Sequence, residues 1–198
     1  MKGIKDLLIE ELYDIYSAEE QIVEALPKMV AASESPDLKK AFQSHLKETK
    51  GQVQRLKKIF KILKVEKKEK LCKAAKGLIQ ECKEVLKNSK TKSAIRDAAL
   101  ISKAQRIEHY EIAAYGTVRT FAKEIDLDTI VDLLQQTLDE EGNADKKLTE
   151  IAEGGLLKTG INQQANMPNE KSTKTNRSKT STRTNKKSTS SKKLAAAR

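Results

Sequence analysis

The stretch RIEHYEIAAYG, residues 106–116, decides the fold, because it breaks the rule that the rest of its helix obeys. At 100° per residue, Ile101 lies about 20° from Glu108, Ala104 about 40°, Ile112 about 40° and Tyr115 about 20°. Glu108 therefore stands at the centre of the apolar stripe, where a leucine is expected. Glu111 stands near its margin, and His109 points about 100° away. A carboxylate in that place needs a partner, because isolated buried charges are among the costliest groups a core can hold.

The other long helices repeat the anomaly. Leu8, Leu12, Ile15, Ile22, Leu26 and Met29 recur at 3–4 spacing and predict a first helix over about 4–32, which Pro27 should kink or loosen. Glu19 sits at the centre of its apolar face. Ser35-Pro36-Asp37 is a strong start signal for a second helix ending near 63, with serine as N-cap, proline at N1 and an acid in the first turn. That helix carries His45 on its stripe and Glu48 at the edge. CKAAKGLIQECKEVLKN predicts a short helix over about 71–88. The fourth helix, about 93–124, holds the opening stretch. A fifth runs from about 128 to 153 and is stopped by Gly154-Gly155. On it Glu141 is central, between Leu134 and Leu148, with Asp145 about 40° to one side.

These elements predict an all-α chain: a bundle of four long helices, with an additional short helix in the connection between the second and third long ones. Each long helix aims a carboxylate or an imidazole at the shared core near its middle. No stripe carries a Lys or Arg close to these acids; Arg119 lies about three turns beyond Glu108. A bound cation resolves the cost of burial. Oxygen-rich ligation with one imidazole suits iron or manganese better than a structural zinc. The expected metal ligands are Glu19, His45, Glu48, Glu108, Glu111, Glu141 and Asp145. The competing reading is that the buried acids are structural groups that fix the register of the bundle without metal.

The stretches LYDIYSAEEQ (12–21), ALPKM (25–29), AFQSHLKETKGQVQRL (41–56), KGLIQE (76–81), RDAALISKAQRIEHYEIAAYGT (96–117) and LLQQTLDEEGNADKKLTEIA (133–152) resemble the YciE/YciF type of ferritin-like protein. The resemblance covers about residues 1–153. It implies a ferritin-like four-helix bundle, a site for two metal ions between the helices, a homodimer and an association with stress responses. It implies no defined reaction, so a di-iron oxidoreductase activity stays open. The wider ferritin and rubrerythrin pattern places Glu-x-x-His on two helices. Here one helix reads His45-x-x-Glu48, in reversed order, and another offers Glu141 with Asp145 and no histidine. The number of metals is therefore open. Tyr16 and Tyr115 lie within two turns of Glu19 and Glu108, and the bland expectation for both is a core aromatic with a satisfied hydroxyl.

The net charge of +11 is unevenly placed: residues 156–198 hold eleven Lys/Arg and one acid, Glu170, while residues 1–155 are nearly balanced at +1. This divides the chain into a helical domain over 1–157 and a tail over 158–198 that is rich in Lys, Ser, Thr and Asn and expected to be disordered. Such a tail can neutralise phosphates without reading sequence, so non-specific DNA binding is the second functional expectation, with the bundle then serving only to dimerise. The tail has no aromatic residue with which to stack on bases. No apolar run spans a membrane, and MKGIKDLLIEEL carries acids inside its apolar stretch, unlike a signal peptide. Two cysteines, Cys72 and Cys82, form no scaffold or redox spacing and are expected to be reduced thiols without a role. A cytoplasmic location follows as the default expectation.

Overall fold

The computed structural model describes residues 2–89, 92–155 and 158–167. Five helices follow the sequence closely: α1 (Ile4–Ala32), α2 (Pro36–Leu63), α3 (Lys73–Asn88), α4 (Ala94–Glu124) and α5 (Asp128–Glu153). The long helices α1, α2, α4 and α5 form the bundle, in which α1 packs on α2 and α4, and α5 packs on α2 and α4. The short α3 covers α1 and α4 from outside. Helix α1 continues through Pro27 to Ala32.

Local chemistry sets the boundaries. Ser35 Oγ accepts from the Leu38 N–H at 3.4 Å and Ser93 Oγ from the Arg96 N–H at 3.2 Å, each occupying a donor that a helix start leaves open. Cys72 caps α3 in the same way, its Sγ accepting from the Ala75 N–H at 3.4 Å. The buried Asp97 carboxylate accepts from the Glu34 N–H at 3.0 Å and the Ser35 N–H at 2.7 Å. The neighbouring Arg96 guanidinium donates to the Ala32 and Ser89 carbonyls. Both ends of the α1–α2 turn are thereby fixed to the start of α4.

Two apolar layers fill the bundle. One joins Ile22, Leu26, Met29, Leu38, Phe42, Leu100, Ile101, Ala104, Ile107 and Leu148. The other joins Leu8, Leu12, Ile15, Leu56, Ile59, Phe60, Val118, Ile130 and Leu134. Each fully buried side chain of this size contributes roughly 1.5–3 kcal/mol. Between the layers lies a stratum of buried polar residues: Glu19, His45, Thr49, Gln52, Glu108, Glu111, Thr137 and Glu141.

The ordered unit does not end at 157 but runs through Asn166. Gly154–Gly155 (β1) pairs antiparallel with Lys158–Thr159 (β2), and α6 (Ile161–Asn166) then packs on α4 and α5. Two glycines permit this turn. Gly154 has φ +78°, and a Cβ at Gly160 would lie 2.2 Å from the Glu153 carbonyl carbon. Ile161, the one large apolar residue of α6, is buried in the core. The expected disordered tail otherwise falls outside the described residues, from 168 onward. Among the described residues no helix is long and apolar enough to cross a membrane.

Candidate metal centre

Four helices bring their central polar residues together. His45 from α2, Glu108 and Glu111 from α4 and Glu141 from α5 are all buried, and each offers one donor atom within 4.8 Å of the other three. Donors about 2.0–2.2 Å from a transition-metal ion stand about 4.0–4.4 Å apart across it, so four donors within 4.8 Å of one another are close to the spacing of a shared ion. Glu19 from α1 is fully buried beside them. One of its oxygens accepts from the Tyr115 hydroxyl, and the other has no partner.

Unpaired atoms define the site. Glu19 Oε2, Glu108 Oε2, both Glu111 oxygens, Glu141 Oε2 and both ring nitrogens of His45 are buried without a hydrogen bond. The imidazole lies at ion-pair distance only, with Nε2 3.5 Å from Glu108 and 3.9 Å from Glu141, and Nδ1 3.8 Å from Glu48. Ordinary folds leave few buried polar atoms unsatisfied, and here, Arg96 Nε and Arg119 Nε apart, those of the described residues cluster in one stratum. Four acids facing one imidazole could hold a metal ion by charge as well as by donor type.

The electrostatics carry the same message. Burial pushes the Glu19 carboxyl up, with the Glu141 charge adding to it, and the net result is about 8 despite the Tyr115 hydrogen bond and the nearby His45 and Arg55. Burial likewise raises Glu108 and Glu111 well above the carboxylate range. Glu141, Glu19 and Glu108 push Glu111 further in that direction; for Glu108, His45 works against burial while Glu141 reinforces it. Burial alone would lower His45, but Glu108, Glu48, Glu141 and Glu19 outweigh it and hold the imidazole up at about 10. Without a cation, the protons themselves must balance this charge.

Some expected ligands lie elsewhere. Glu48 is half-exposed on the outer side of the His45 ring, where its carboxylate faces Nδ1 while Nε2 faces the acids. A carboxylate on the far nitrogen of an imidazole is the usual means of orienting a ligating histidine. Asp145 accepts from Gln105 Nε2 at 3.0 Å and meets the exposed His109 Nε2 at 3.3 Å; it is not among the four grouped donors, although its charge reaches Glu108. The two tyrosines part company as well. Tyr115 donates to Glu19, whereas the Tyr16 ring packs on Phe60 at 5.7 Å with Lys67 above it.

Supporting residues escaped sequence reasoning. Gln52 Nε2 donates to Glu141 and also to Glu140 at 3.1 Å, and Arg55 binds Glu140 and Thr137. Arg55 thus neutralises Glu140, the outer acid of the Glu140–Glu141 pair, and not the inner one. The available signal was the run His45, Thr49, Gln52, polar residues at i, i+4 and i+7 on a face otherwise made of leucine and phenylalanine.

Fold and donor set together define a carboxylate-centred helical bundle. The chain belongs to the family described as Domain of unknown function (DUF892), which matches residues 3–166. It is 42% identical over 166 residues to Protein YciF of Escherichia coli strain K12, covering 82% of this chain and 98% of that one. The crystal structure of the E. coli stress protein YciF superposes with a TM-score of 0.72 at 44% identity, over 76% of this chain and 94% of the other. YcfI of Rhodopseudomonas palustris, provisionally described as a structural protein, gives a TM-score of 0.73 at 41% identity, over 77% and 96% of the two chains. A Xanthomonas campestris protein at 17% identity, with a TM-score of 0.60 over 75% and 89%, shares the fold alone.

Proposed function

We propose that this chain is a ferritin-like metal-binding bundle that holds two iron ions, or manganese in their place, and handles iron or oxidants under stress. The observation that carries the reading is the stratum of unpartnered buried donors: Glu19, His45, Glu108, Glu111 and Glu141 present seven such atoms. His45, Glu108, Glu111 and Glu141 would hold one ion, and Glu19, which has an unpartnered oxygen and feels the Glu141 charge, would extend the set to a second. Iron bound there would supply one-electron chemistry toward dioxygen or peroxide. The chain's own residues prepare the place. Tyr115 fixes Glu19, Gln52 fixes Glu141, and the apolar layers on either side keep bulk water out. The E. coli relative described as a stress protein supports the physiological half of the reading.

Oxygen or peroxide consumption by the full chain loaded anaerobically with ferrous iron tests it. Consumption coupled to iron oxidation is expected, and a Glu108→Ala, Glu141→Ala double variant should show only the rate of free iron. A parent protein no faster than free iron would remove the oxidant role.

The charge of residues 156–198 favours an additional activity, in which the tail tethers a homodimer to nucleic acid. Removing residues 168–198 spares the packed Ile161, so it should abolish DNA retention at low salt and leave helicity intact. Equal retention by the shortened protein would exclude the tail.

A further inference from the structure

A cleft of about 250 Å³ opens between α2 and α5, lined by Phe42, Ser44, His45, Glu48, Glu108 and Ala144 among others. It exists because Ala41 and Ser44 on α2 face Ala144 on α5, three small side chains that do not fill the space between the helices. His45 and Glu108, which belong to the four-donor group, line it. Side-chain exposure falls stepwise inward: 41% at Glu48, 7% at His45, 4% at Glu108 and 0% at Glu141. Consecutive groups are never far apart. Glu48 is 3.8 Å from His45, which is 3.5 Å from Glu108 and 3.9 Å from Glu141. Both nitrogens of His45 are buried and unpartnered at the floor of the cleft.

We propose that this cleft is the entry route for divalent cations, with Glu48 as the carboxylate that captures them and His45 as the first buried group to receive them. The inference rests on the metal-binding reading above and adds to it a path and an entry residue. Size favours an ion: six waters occupy about 180 Å³ at roughly 30 Å³ each, so a hydrated cation fits. Drug-sized ligands need pockets of about 300–1,000 Å³. Charge favours it too. Lys147, the lysine that lines the rim, is tied to Glu150 at 2.9 Å, so its charge is already matched. Glu48, by contrast, is engaged only by Ser44 Oγ at 3.4 Å and the His45 ring, and its carboxylate stays open to solvent. As an ion moves inward it displaces to solvent the protons that His45 and the buried carboxyls hold and exchanges waters for their donors one at a time, without crossing a stretch that lacks ligands.

Stopped-flow uptake of Co²⁺ by the full-length chain, read from the absorbance of the bound ion and paired with equilibrium dialysis, tests the route. Glu48→Gln should slow uptake about tenfold or more and weaken its dependence on ionic strength, because an acidic cleft concentrates cations. Its final stoichiometry should match the parent's. Ser44→Phe, at an exposed position on the rim, should slow uptake by obstruction. Gln54→Phe, in the separate groove between α1 and α2, should leave the rate unchanged. Uptake within about twofold of the parent in both Glu48→Gln and Ser44→Phe would overturn the route. A lower final stoichiometry in Glu48→Gln at saturating Co²⁺, where loss of the His45-orienting contact alone would not show, would overturn it as well, by making Glu48 a ligand. A parent that takes up no Co²⁺ would instead remove the metal-binding reading, and the route with it.

Discussion

The apolar layers and the polar stratum between them obey opposite rules. In the layers, leucines, isoleucines and valines meet their like, and each contact stabilises the fold whatever the solvent contains. In the stratum, five titratable groups meet with too few hydrogen bonds, so its contribution depends on protons or cations supplied from outside. One bundle thus contains two regions that provide the fold and one that draws on it. The contrast singles out the stratum as the candidate functional layer, since nothing in the architecture of four helices requires it.

The comparison can be broken most severely in the layers. Leu134→Ala, at a fully buried site, should destabilise the protein by about 2–5 kcal/mol with or without metal, measured by urea unfolding. Substitution in the stratum should act in the opposite sense. Glu111 has two unpartnered oxygens, and Glu111→Met, similar in volume, should raise the stability of the metal-free protein by about 1–4 kcal/mol while weakening metal binding. A loss like that of Leu134→Ala would mean that the stratum is structural after all.

The pH dependence of the metal-free protein sharpens the same contrast. Glu19 rises from an ordinary 4.5 to about 8 on folding, so its folded form keeps a proton that the unfolded chain releases. That lowers stability progressively as pH climbs from 4.5 to about 8. His45, raised from 6.5 to about 10, gives stability that is complete below 6.5 and lost as pH passes through 10. Both slopes have one sign, so unfolding midpoints with chelator present should fall across this range. With metal present they should rise toward neutrality, because protons then compete with the cation. Identical curves under the two conditions would contradict a metal role.

The smallest expected effect lies at the border between the regions. Tyr115 is fully buried, with its ring among the apolar residues and its hydroxyl on Glu19. Tyr115→Phe should cost about 1–3 kcal/mol, the usual result of leaving a buried acceptor unpaired. Phe at position 16, where the ring packs on Phe60, should leave the Glu19 carboxyl undisturbed when followed by infrared spectroscopy.

Much of this was legible before the fold was known. Helix ends fell within about two residues because serine caps, Pro36 and the 3–4 spacing mark them independently. Glu19, Glu108 and Glu141 could be read because each sits at the centre of an apolar stripe, where projection leaves no choice of direction. Glu48 and Asp145 stand some 40–60° off centre, and there the neighbours decide. Gln105 and His109 take Asp145, and the orientation of the imidazole leaves Glu48 outside. Helix α6 was hidden because a single isoleucine in a polar segment gives no period to detect. Tyr16 and Tyr115 looked equivalent in sequence, and the folded neighbours separate them, Phe60 and Lys67 against Tyr16 and Glu19 against Tyr115.

Metal content of the full-length protein, purified anaerobically in the presence of iron, tests the functional stratum most directly. Close to two tightly held ions per chain are expected, falling sharply in Glu108→Ala. Less than about half an equivalent, unchanged by Glu108→Ala, would contradict it and return the buried acids to a purely structural role.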